Sequence, residues 1–323
     1  MKAAIINSFG NSEVLSVEND IPKPEIKKNQ VLVKVIAASI NPLDYKIRKG
    51  ELKQVLGNKF PMILGNDVAG IVEKCGEDVH DFKVGDHVYG MIDTNEKPSY
   101  FGFAKPGAYA EYVATRADTL SLKPQNLSFE EAASVPLCAL TAYQSLVKKV
   151  KIKKDDRILI NGSSGGVGVF AVQIAKSIGA EVTAVASKQN KQLMLDLGVD
   201  HFFNYKQKSI YDIEEKFDVI YDIASNLTYS KSKPLLNKKG VFISNTPSPI
   251  AALIPCLRKR KKVKNKTFAW VSPHGKDLSV ISKMISTNQI RPLIDTIYFL
   301  DQIRNAHEHI EKGGVSGKLV VKI

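Results

Sequence analysis

The chain has 323 residues, of which 44% are hydrophobic and 24% charged, so it is long enough for about two domains and is neither disordered nor fibrous. Its three cysteines, Cys75, Cys138 and Cys256, are too few and too scattered for a disulfide framework. The net charge is +13, but seven of the nine residues from 258 to 266 are Lys or Arg, so the excess is largely local.

The amino-terminal segment and the most apolar stretch argue against export or membrane insertion. Between Met1 and Asn7 there are four apolar residues, fewer than the core of a signal peptide. Residues 250–257 form the most apolar later stretch, but they number eight and include Pro255, whereas a membrane-spanning helix needs about 20 residues. We therefore expect a cytoplasmic protein without a transmembrane segment.

The first 124 residues predict a β-rich domain. Short apolar runs alternate with turn residues, which is typical of an all-β barrel or sandwich. The predicted strands are residues 2–6, 30–40, 68–74, 87–91 and 108–115. Beyond residue 124, Ser128 and Glu131 have the spacing of a capping box, which marks the start of a helix.

From residue 157 onward, short apolar runs alternate with helix-length amphipathic ones, which predicts a parallel sheet with crossover helices. The predicted strands are residues 157–161, 181–186, 201–205, 217–222, 241–244 and 266–271. The tail carries a helix from Asp277, then short runs at residues 297–300 and 318–323, and we assign it back to the first domain. The predicted domains are a β-rich part at 1–124, a doubly wound α/β domain at 125–272, and a part at 273–323 that completes the first.

A glycine-rich turn follows the predicted strand at 157–161. Residues 162–168 read Gly-Ser-Ser-Gly-Gly-Val-Gly and lead into a helix that Gly179 caps. A pyrophosphate approaches such a backbone closely and sits on the free amides of the helix start, where only glycine leaves room. We therefore predict a dinucleotide site whose turn contains Gly165, Gly166, Val167 and Gly168.

The end of the next strand indicates which dinucleotide binds. In NAD enzymes this strand ends in Asp or Glu, which binds the ribose hydroxyls. Here residues 181–186 are followed by Ser187 and Lys188, and Lys191 lies three residues further on. A hydroxyl and two ammonium groups suit a 2′-phosphate that a carboxylate would repel, so we predict NADPH as the cofactor. Either lysine alone is equally consistent with a solvated helix start.

Jointly, the motifs resemble the zinc-independent quinone oxidoreductase branch of the medium-chain dehydrogenase/reductase superfamily. The resemblance covers essentially the whole chain and includes the glycine turn and residues 41–50, 64–70, 84–90, 107–112, 137–143 and 317–320. It implies a GroES-like catalytic domain completed by the tail, an inserted Rossmann domain, and an active site in the cleft. It also implies an NADPH-dependent reductase that transfers hydride to a quinone or an α,β-unsaturated carbonyl, with an alkenal or enone reductase of little quinone activity as the nearer alternative.

The resemblance further implies that the protein holds no zinc. Alcohol dehydrogenases of the superfamily place a zinc-binding Cys where this chain has Asn41 and a His where it has Asn66, and amides are poor zinc ligands. Cys138 is the one cysteine near a former ligand position, and we interpret it as a buried, small apolar side chain. Without a Lewis acid, electron-poor acceptors remain feasible.

The resemblance also assigns roles to individual residues. Asn41 and Tyr45 match positions that line the substrate pocket, and either can hydrogen-bond the oxygen on which charge develops. Tyr45 can also relay a proton, although solvent can protonate the product instead. Four further positions are carried over as cofactor-binding: Thr141 at the nicotinamide end, Tyr205 near the adenosine phosphate, and Thr246 and Lys318 in the cleft. The family suggests a homodimer.

The basic run at residues 258–266 leaves other partners open. It is consistent with a solvated surface, with an anionic membrane or with nucleic acid, and the similar zeta-crystallins suggest an NADPH-binding protein that binds RNA. No aromatic residue for base stacking occurs in the run, so the solvated surface is our interpretation. The histidines have no metal-ligand spacing, and we interpret all six as surface residues: His80, His87, His201, His274, His307 and His309.

Overall fold

The computed structural model of the protein describes residues 1–97, 104–245 and 265–323. The chain divides into two compact units. The first unit comprises Met1–Leu140, Ser272–Thr287 and Pro292–Ile323, and the second comprises Thr141–Val271 and Asn288–Arg291. Residues 125–140 therefore lie in the first unit, whereas the predicted domain border followed residue 124.

The strands and α-helices are numbered here in chain order. Within the described residues, the strands are β1 (Ala3–Ile6), β2 (Leu15–Glu18), β3 (Gln30–Ile40), β4 (Met62–Ile63), β5 (Asp67–Cys75), β6 (His87–Met91), β7 (Tyr112–Arg116), β8 (Leu120–Leu122), β9 (Arg157–Asn161), β10 (Glu181–Ala186), β11 (His201–Asn204), β12 (Phe217–Asp222), β13 (Leu236–Ser244), β14 (Lys266–Phe268), β15 (Ile294–Phe299) and β16 (Lys318–Lys322). The α-helices are α1 (Pro42–Arg48), α2 (Lys53–Leu56), α3 (Phe129–Ala133), α4 (Pro136–Tyr143), α5 (Gly166–Ile178), α6 (Lys191–Asp196), α7 (Tyr229–Ser232), α8 (Gly275–Ser286) and α9 (Ile303–Lys312), and a π-helical segment spans Gln144–Val150.

The first unit is built on two β-sheets. A small sheet has the order β2-β1-β4, and a larger one runs β15-β16-β3-β5-β6-β8, with β7 also paired to β3. Strand β16 pairs antiparallel with β3, which places Leu319 opposite Ile40. The tail therefore returns to the first unit, as predicted. Fully buried aliphatic residues from these strands, such as Val33, Val68 and Val321, form the core between the sheet and its covering segments.

The second unit contains one parallel sheet in the order β11-β10-β9-β12-β13-β14. This is the doubly wound strand order. Strand β9, the first of the unit, lies at the centre; β10 and β11 follow on one side of it, and β12, β13 and β14 follow on the other. Strands β9 and β12 carry continuous apolar runs because helices cover both faces of such a sheet. The predicted Rossmann-type α/β fold is confirmed.

The predicted strand borders hold where the apolar runs are long. Strands β3, β6, β9, β10 and β12 have the predicted limits. Strands β2, β4 and β8 were not predicted, since each has two to four residues and owes its shape to pairing with a neighbour. The predicted capping box is present, because Ser128 Oγ accepts from the Glu131 amide and the Ser128 amide donates to Glu131. In the described part of the chain, no helix is long and apolar enough to span a bilayer.

Candidate functional site

The glycine turn of the second unit has the geometry of a phosphate cradle. Strand β9 ends at Asn161, Gly162 adopts a left-handed φ of 83°, and α5 begins immediately after its N-cap, Gly165. A β-carbon on Gly168 would lie 2.2 Å from the carbonyl oxygen of Gly162, so a side chain there would break the turn. A β-carbon on Gly165 would meet only that same carbonyl oxygen, at 3.8 Å. Open space therefore faces Gly165, whereas Gly168 is closed in.

This cradle fits a pyrophosphate. The first amides of an α-helix have no partner within the helix, and in α5 these belong to the predicted Gly166, Val167 and Gly168. No β-carbon stands in front of the N-cap residue. Ser163 Oγ donates to the carbonyl oxygen of Val185 at 3.0 Å, which fixes the turn against β10. The site is therefore preformed, and its open face is lined by backbone donors.

The carboxyl ends of β10 and β11 bring the predicted 2′-phosphate residues together. Ala186 pairs with Asn204, so Ser187 and Tyr205 each follow a paired residue at the same edge of the sheet. Ser187 is buried, whereas Lys188 and Lys191 are exposed and Tyr205 is half exposed. The strand ends without a carboxylate, as the sequence indicated.

Two residues that the sequence analysis missed connect the turn to this edge. Asn190 Nδ2 donates to Ser164 Oγ at 3.0 Å and lies 3.4 Å from Ser187 Oγ. Ser164 belongs to the glycine turn, and Asn190 precedes α6. The serine in the turn was a usable signal, because a hydroxyl beside the glycines can accept a hydrogen bond from a side chain that follows the next strand. Thr141 is buried in α4, where the second unit begins, and Thr246 lies outside the described residues.

The first unit contains a buried polar cluster, which we define as Ser39, Asn41, Asp44, Asp67 and Lys318. Asp67 Oδ2 accepts from Ser39 Oγ and from Asn41 Nδ2, each at 2.9 Å, and Asp67 Oδ1 accepts from the amide of Leu137 at 2.8 Å. Lys318 Nζ donates to Asn41 Oδ1 at 2.6 Å and to the carbonyl oxygen of Ile40 at 2.9 Å. Both polar ends of the Asn41 amide are therefore engaged inside the protein.

Asp44 holds the start of α1, the helix that carries Tyr45. Its Oδ2 accepts from the Asn41 amide at 2.7 Å and from Tyr109 Oη at 2.9 Å. Complete burial raises the pKa of Asp44 to about 7, and the neighbouring Asp67 adds to the rise. Burial also raises the pKa of Asp67, although the Lys318 ammonium opposes that shift. Burial therefore raises the pKa of both carboxyl groups in the cluster and favours their protonated forms.

Tyr45 is a weaker acid than an ordinary tyrosine. Partial burial raises the pKa of its hydroxyl, with Glu311 and Glu51 adding to the rise, while Lys49 opposes it. The Lys49 ammonium lies 5.2 Å from the centre of the Tyr45 ring. A phenol that holds its proton more tightly is a poorer general acid near neutral pH, which favours solvent as the proton donor.

One histidine prediction is wrong. His307 is fully buried in α9, packs edge-on against the Tyr109 ring, and places Nδ1 3.3 Å from Arg48 Nη1. Burial and the adjacent Arg48 guanidinium lower its pKa to about 3, so the ring is neutral. Residues two positions apart on a helix lie on nearly opposite faces, so His307 and His309 cannot both face solvent. The spacing in the sequence was therefore sufficient to predict that one of the two is buried. The remaining histidines are exposed or partly exposed.

The donor set of the first unit does not fit zinc. The Asn41 amide oxygen already accepts a hydrogen bond from the Lys318 ammonium at 2.6 Å. A metal ion bound to the same oxygen would lie close to this ammonium, and the two positive charges would repel each other. Cys138 is buried, as predicted, and burial raises the pKa of its thiol to about 11, so it is not a thiolate. Across the described ranges, no group of three or more His, Cys, Asp or Glu side chains converges on a metal position.

Fold and site define a protein with a preformed dinucleotide cradle in one unit and a buried polar cluster in a separate β-rich unit. Residues 27–125 match the family described as alcohol dehydrogenase GroES-like domain, and residues 197–321 match that described as zinc-binding dehydrogenase. The chain is 33% identical, over 99% of its length and 79% of the relative, to 2-methylene-furan-3-one reductase of Solanum lycopersicum.

Two further similarities agree with this match. The chain is 33% identical, over 99% of its length and 79% of the relative, to the chloroplastic NADPH-dependent alkenal/one oxidoreductase of Arabidopsis thaliana. The solved quinone oxidoreductase of Coxiella burnetii superimposes with a TM-score of 0.88 at 35% identity, covering 100% of this chain and 99% of that one. The chain belongs to the medium-chain dehydrogenase/reductase superfamily, in its quinone oxidoreductase branch, which confirms the resemblance.

Proposed function

We propose that this protein is an NADPH-dependent, zinc-independent reductase that transfers a hydride to a quinone or to an α,β-unsaturated carbonyl compound. The observation that carries the proposal is the cradle at Gly165, which has backbone donors, open space and no carboxylate at the end of the neighbouring strand. The names of the relatives, two enone reductases and a quinone oxidoreductase, support the same acceptor chemistry.

In the proposed complex, the second unit binds the cofactor through three kinds of group. The free amides at the start of α5 take the pyrophosphate, because they combine unpaired N–H groups with the positive end of the helix dipole. Ser187, Lys188 and Lys191 take the 2′-phosphate through one hydroxyl and two ammonium groups. Tyr205, at the same edge, covers the adenosine end.

The bound NADPH supplies a hydride, and one proton from solvent completes the two-electron reduction to a hydroquinone or a saturated carbonyl compound. The first unit supplies orientation and a fixed electrostatic environment for the acceptor. Its buried polar cluster holds the start of α1 and hence the backbone of Tyr45. The raised pKa of Tyr45 favours solvent as the proton source, and the Asn41 amide has no acidic proton to release.

The test is the oxidation of NADPH and of NADH by metal-stripped protein with a panel of quinones and enones, followed by the addition of zinc. We expect NADPH-dependent turnover without zinc, and the relative kcat/KM on a small quinone and a short enone then ranks the acceptors. Tight NADPH binding with no turnover on any member of the panel would refute the reductase. Turnover only after zinc is added would refute the interpretation of Asn41 and Asn66.

A further inference from the structure

Asn66 is a buried polar residue that directly precedes β5. Its side chain is fully buried, and neither Nδ2 nor Oδ1 has a hydrogen-bond partner in the described part of the chain. The other buried side chains with an unpartnered atom, such as Asp44 and His307, lack a partner at one atom only. Asn66 therefore differs from them in having an entire amide without partners.

Such an amide is unfavourable for stability. Each unsatisfied buried donor or acceptor destabilises the folded state, and most buried side-chain polar atoms in proteins are hydrogen-bonded. A leucine of similar shape would remove both penalties. A buried amide with neither atom bonded to any of the described residues is therefore a candidate for a hydrogen bond to a bound ligand.

The backbone around Asn66 is held rigidly. The Asn66 carbonyl oxygen accepts from the amide of Ile92 at 2.7 Å, and the Gly65 carbonyl oxygen accepts from the amides of Gly107 and Ala108 at 3.0 and 3.1 Å. A β-carbon on Gly65 would lie 2.6 Å from the Tyr109 ring, so this segment cannot shift toward the tyrosine. The missing partners of the amide are therefore not the result of a loose segment, and the side chain is positioned in advance.

The contrast with Asn41 is informative. Both asparagines are fully buried, but Asn41 binds Asp67 through its nitrogen and Lys318 through its oxygen. From the sequence, either Asn41 or Tyr45 was expected to form the hydrogen bond to the reacting oxygen. In the structure, that amide is committed to the protein interior, and the amide of Asn66 is the one available.

We infer that Asn66 Nδ2 donates a hydrogen bond to the carbonyl oxygen of the quinone or enone acceptor, an inference that rests on the proposed function. Negative charge accumulates on that oxygen as the hydride arrives, so the hydrogen bond strengthens toward the transition state. Asn66 gives up neither proton nor electrons, and solvent supplies the proton that completes the reduction. Because the Asn66 side chain is fully buried, the acceptor has to displace neighbouring groups to reach it. The new hydrogen bond satisfies a donor that has no described partner in the free protein, and this offsets part of the cost of the displacement.

The experiment compares Asn66→Leu and Asn66→Asp with the matched control Asn126→Leu in the same unit, where the amide makes only a peripheral bond to Ile285. For Asn66→Leu we expect kcat to fall by about 10²–10³-fold, as on removal of one oxyanion donor. NADPH affinity, read from nucleotide fluorescence, stays within about twofold, and the melting temperature equals or exceeds that of the wild type. Asn126→Leu keeps the wild-type kcat.

The aspartate variant supplies a readout that a structural role does not move. A carboxylate cannot donate, but a protonated carboxyl can, so kcat/KM of Asn66→Asp rises as the pH falls, relative to the wild type. If Asn66→Leu turns over within about twofold of the wild type while folded and bound to NADPH, or if Asn66→Asp follows the wild-type pH profile, the inference fails and the proposed function stands. If the wild type reduces no quinone or enone, the proposed function fails and the inference with it.

Discussion

Lys318 is the counter-ion of the buried Asp67 carboxyl group in the first unit. Its side chain is 3% exposed, and its Nζ lies 3.8 Å from Oδ2 of Asp67, which is fully buried. Removing one partner of a buried ion pair leaves the other charge uncompensated, which typically costs about 3–5 kcal/mol. The lysine is therefore a structural counter-ion as well as the anchor of the Asn41 amide.

The first prediction concerns this pair. Lys318→Met should reduce the free energy of unfolding by about 3–5 kcal/mol at neutral pH, measured by urea denaturation. The loss should grow as the pH rises, because the remaining Asp67 carboxyl has a raised pKa and folding then favours its protonated form. The double variant with Asp67→Asn should lose less than the sum of the two single variants, and strictly additive losses would contradict the pairing.

The second prediction separates the two dinucleotides. Lys188→Ala should weaken NADPH binding by about tenfold, as expected for one charge-assisted bond to a phosphate at an exposed position, while NADH binding changes little. Isothermal titration with both nucleotides measures this ratio. Lys239→Ala, in the amino-terminal half of β13, is the control, because the carboxyl ends of the strands bind the ligand. Equal weakening of both nucleotides would mean that Lys188 does not contact the 2′-phosphate.

At the scale of elements, α5 and its glycines combine two different requirements. Gly168 is needed for packing, since a β-carbon there would collide with the backbone of residues 162 and 163. Gly165 is not needed for packing, since the space in front of it is open. A substitution at one position therefore tests the fold of the turn, and a substitution at the other tests the ligand.

The third prediction follows from this difference. Gly165→Ala should leave the melting temperature within a few degrees of the wild type and reduce NADPH affinity by at least about tenfold, because the methyl group occupies the space of the pyrophosphate. Gly168→Ala should lower both stability and affinity. Calorimetric melting and nucleotide titration measure the two effects. Unchanged affinity in Gly165→Ala would remove the pyrophosphate from this turn.

Some elements of the structure could be predicted from the sequence and others could not. Strands β9, β10 and β12 were predictable because each is a single apolar run bounded by turn residues. The glycine turn was predictable because its chemistry demands its residue types. The buried polar cluster was not, because Asp44, Asp67 and Lys318 come from segments far apart in sequence, and each alone is typical of a surface position. The unpartnered amide of Asn66 was not predictable either, because the hydrogen-bond partners of a side chain depend on the tertiary structure and not on the local sequence.

At the scale of the whole molecule, two buried groups oppose each other in the pH dependence of stability. The pKa of Asp44 is about 7, above its usual 3.8, so the native state keeps a proton that the unfolded state loses, and stability falls as the pH rises from about 4 to 7. The pKa of His307 is about 3, below its usual 6.5, so stability falls as the pH decreases from about 6.5 to 3. Tyr109 contacts both groups. Between about pH 4 and 6.5 the two contributions cancel.

The fourth prediction removes one group at a time. Relative to the wild type, Asp44→Asn should add a positive slope to the plot of unfolding free energy against pH between about 4 and 6.5, up to about 1.4 kcal/mol per pH unit. His307→Gln should add a negative slope of similar size over the same range. Urea denaturation at four pH values measures both. Parallel plots for the wild type and the two variants would mean that neither group is titrated differently in the folded protein.

The pairing of β16 with β3 has a consequence for biosynthesis. Lys318 and its acceptor, the carbonyl oxygen of Ile40, are 278 positions apart, so a ribosome at about 5–20 residues per second completes the second unit's sheet before the first unit receives its last strand. Until β16 is made, the buried polar cluster lacks the Lys318 counter-ion of Asp67. During that interval, residues 37–40 of β3 lack their partner strand, and a release or truncation just before residue 318 would leave the large sheet of the first unit open at that edge.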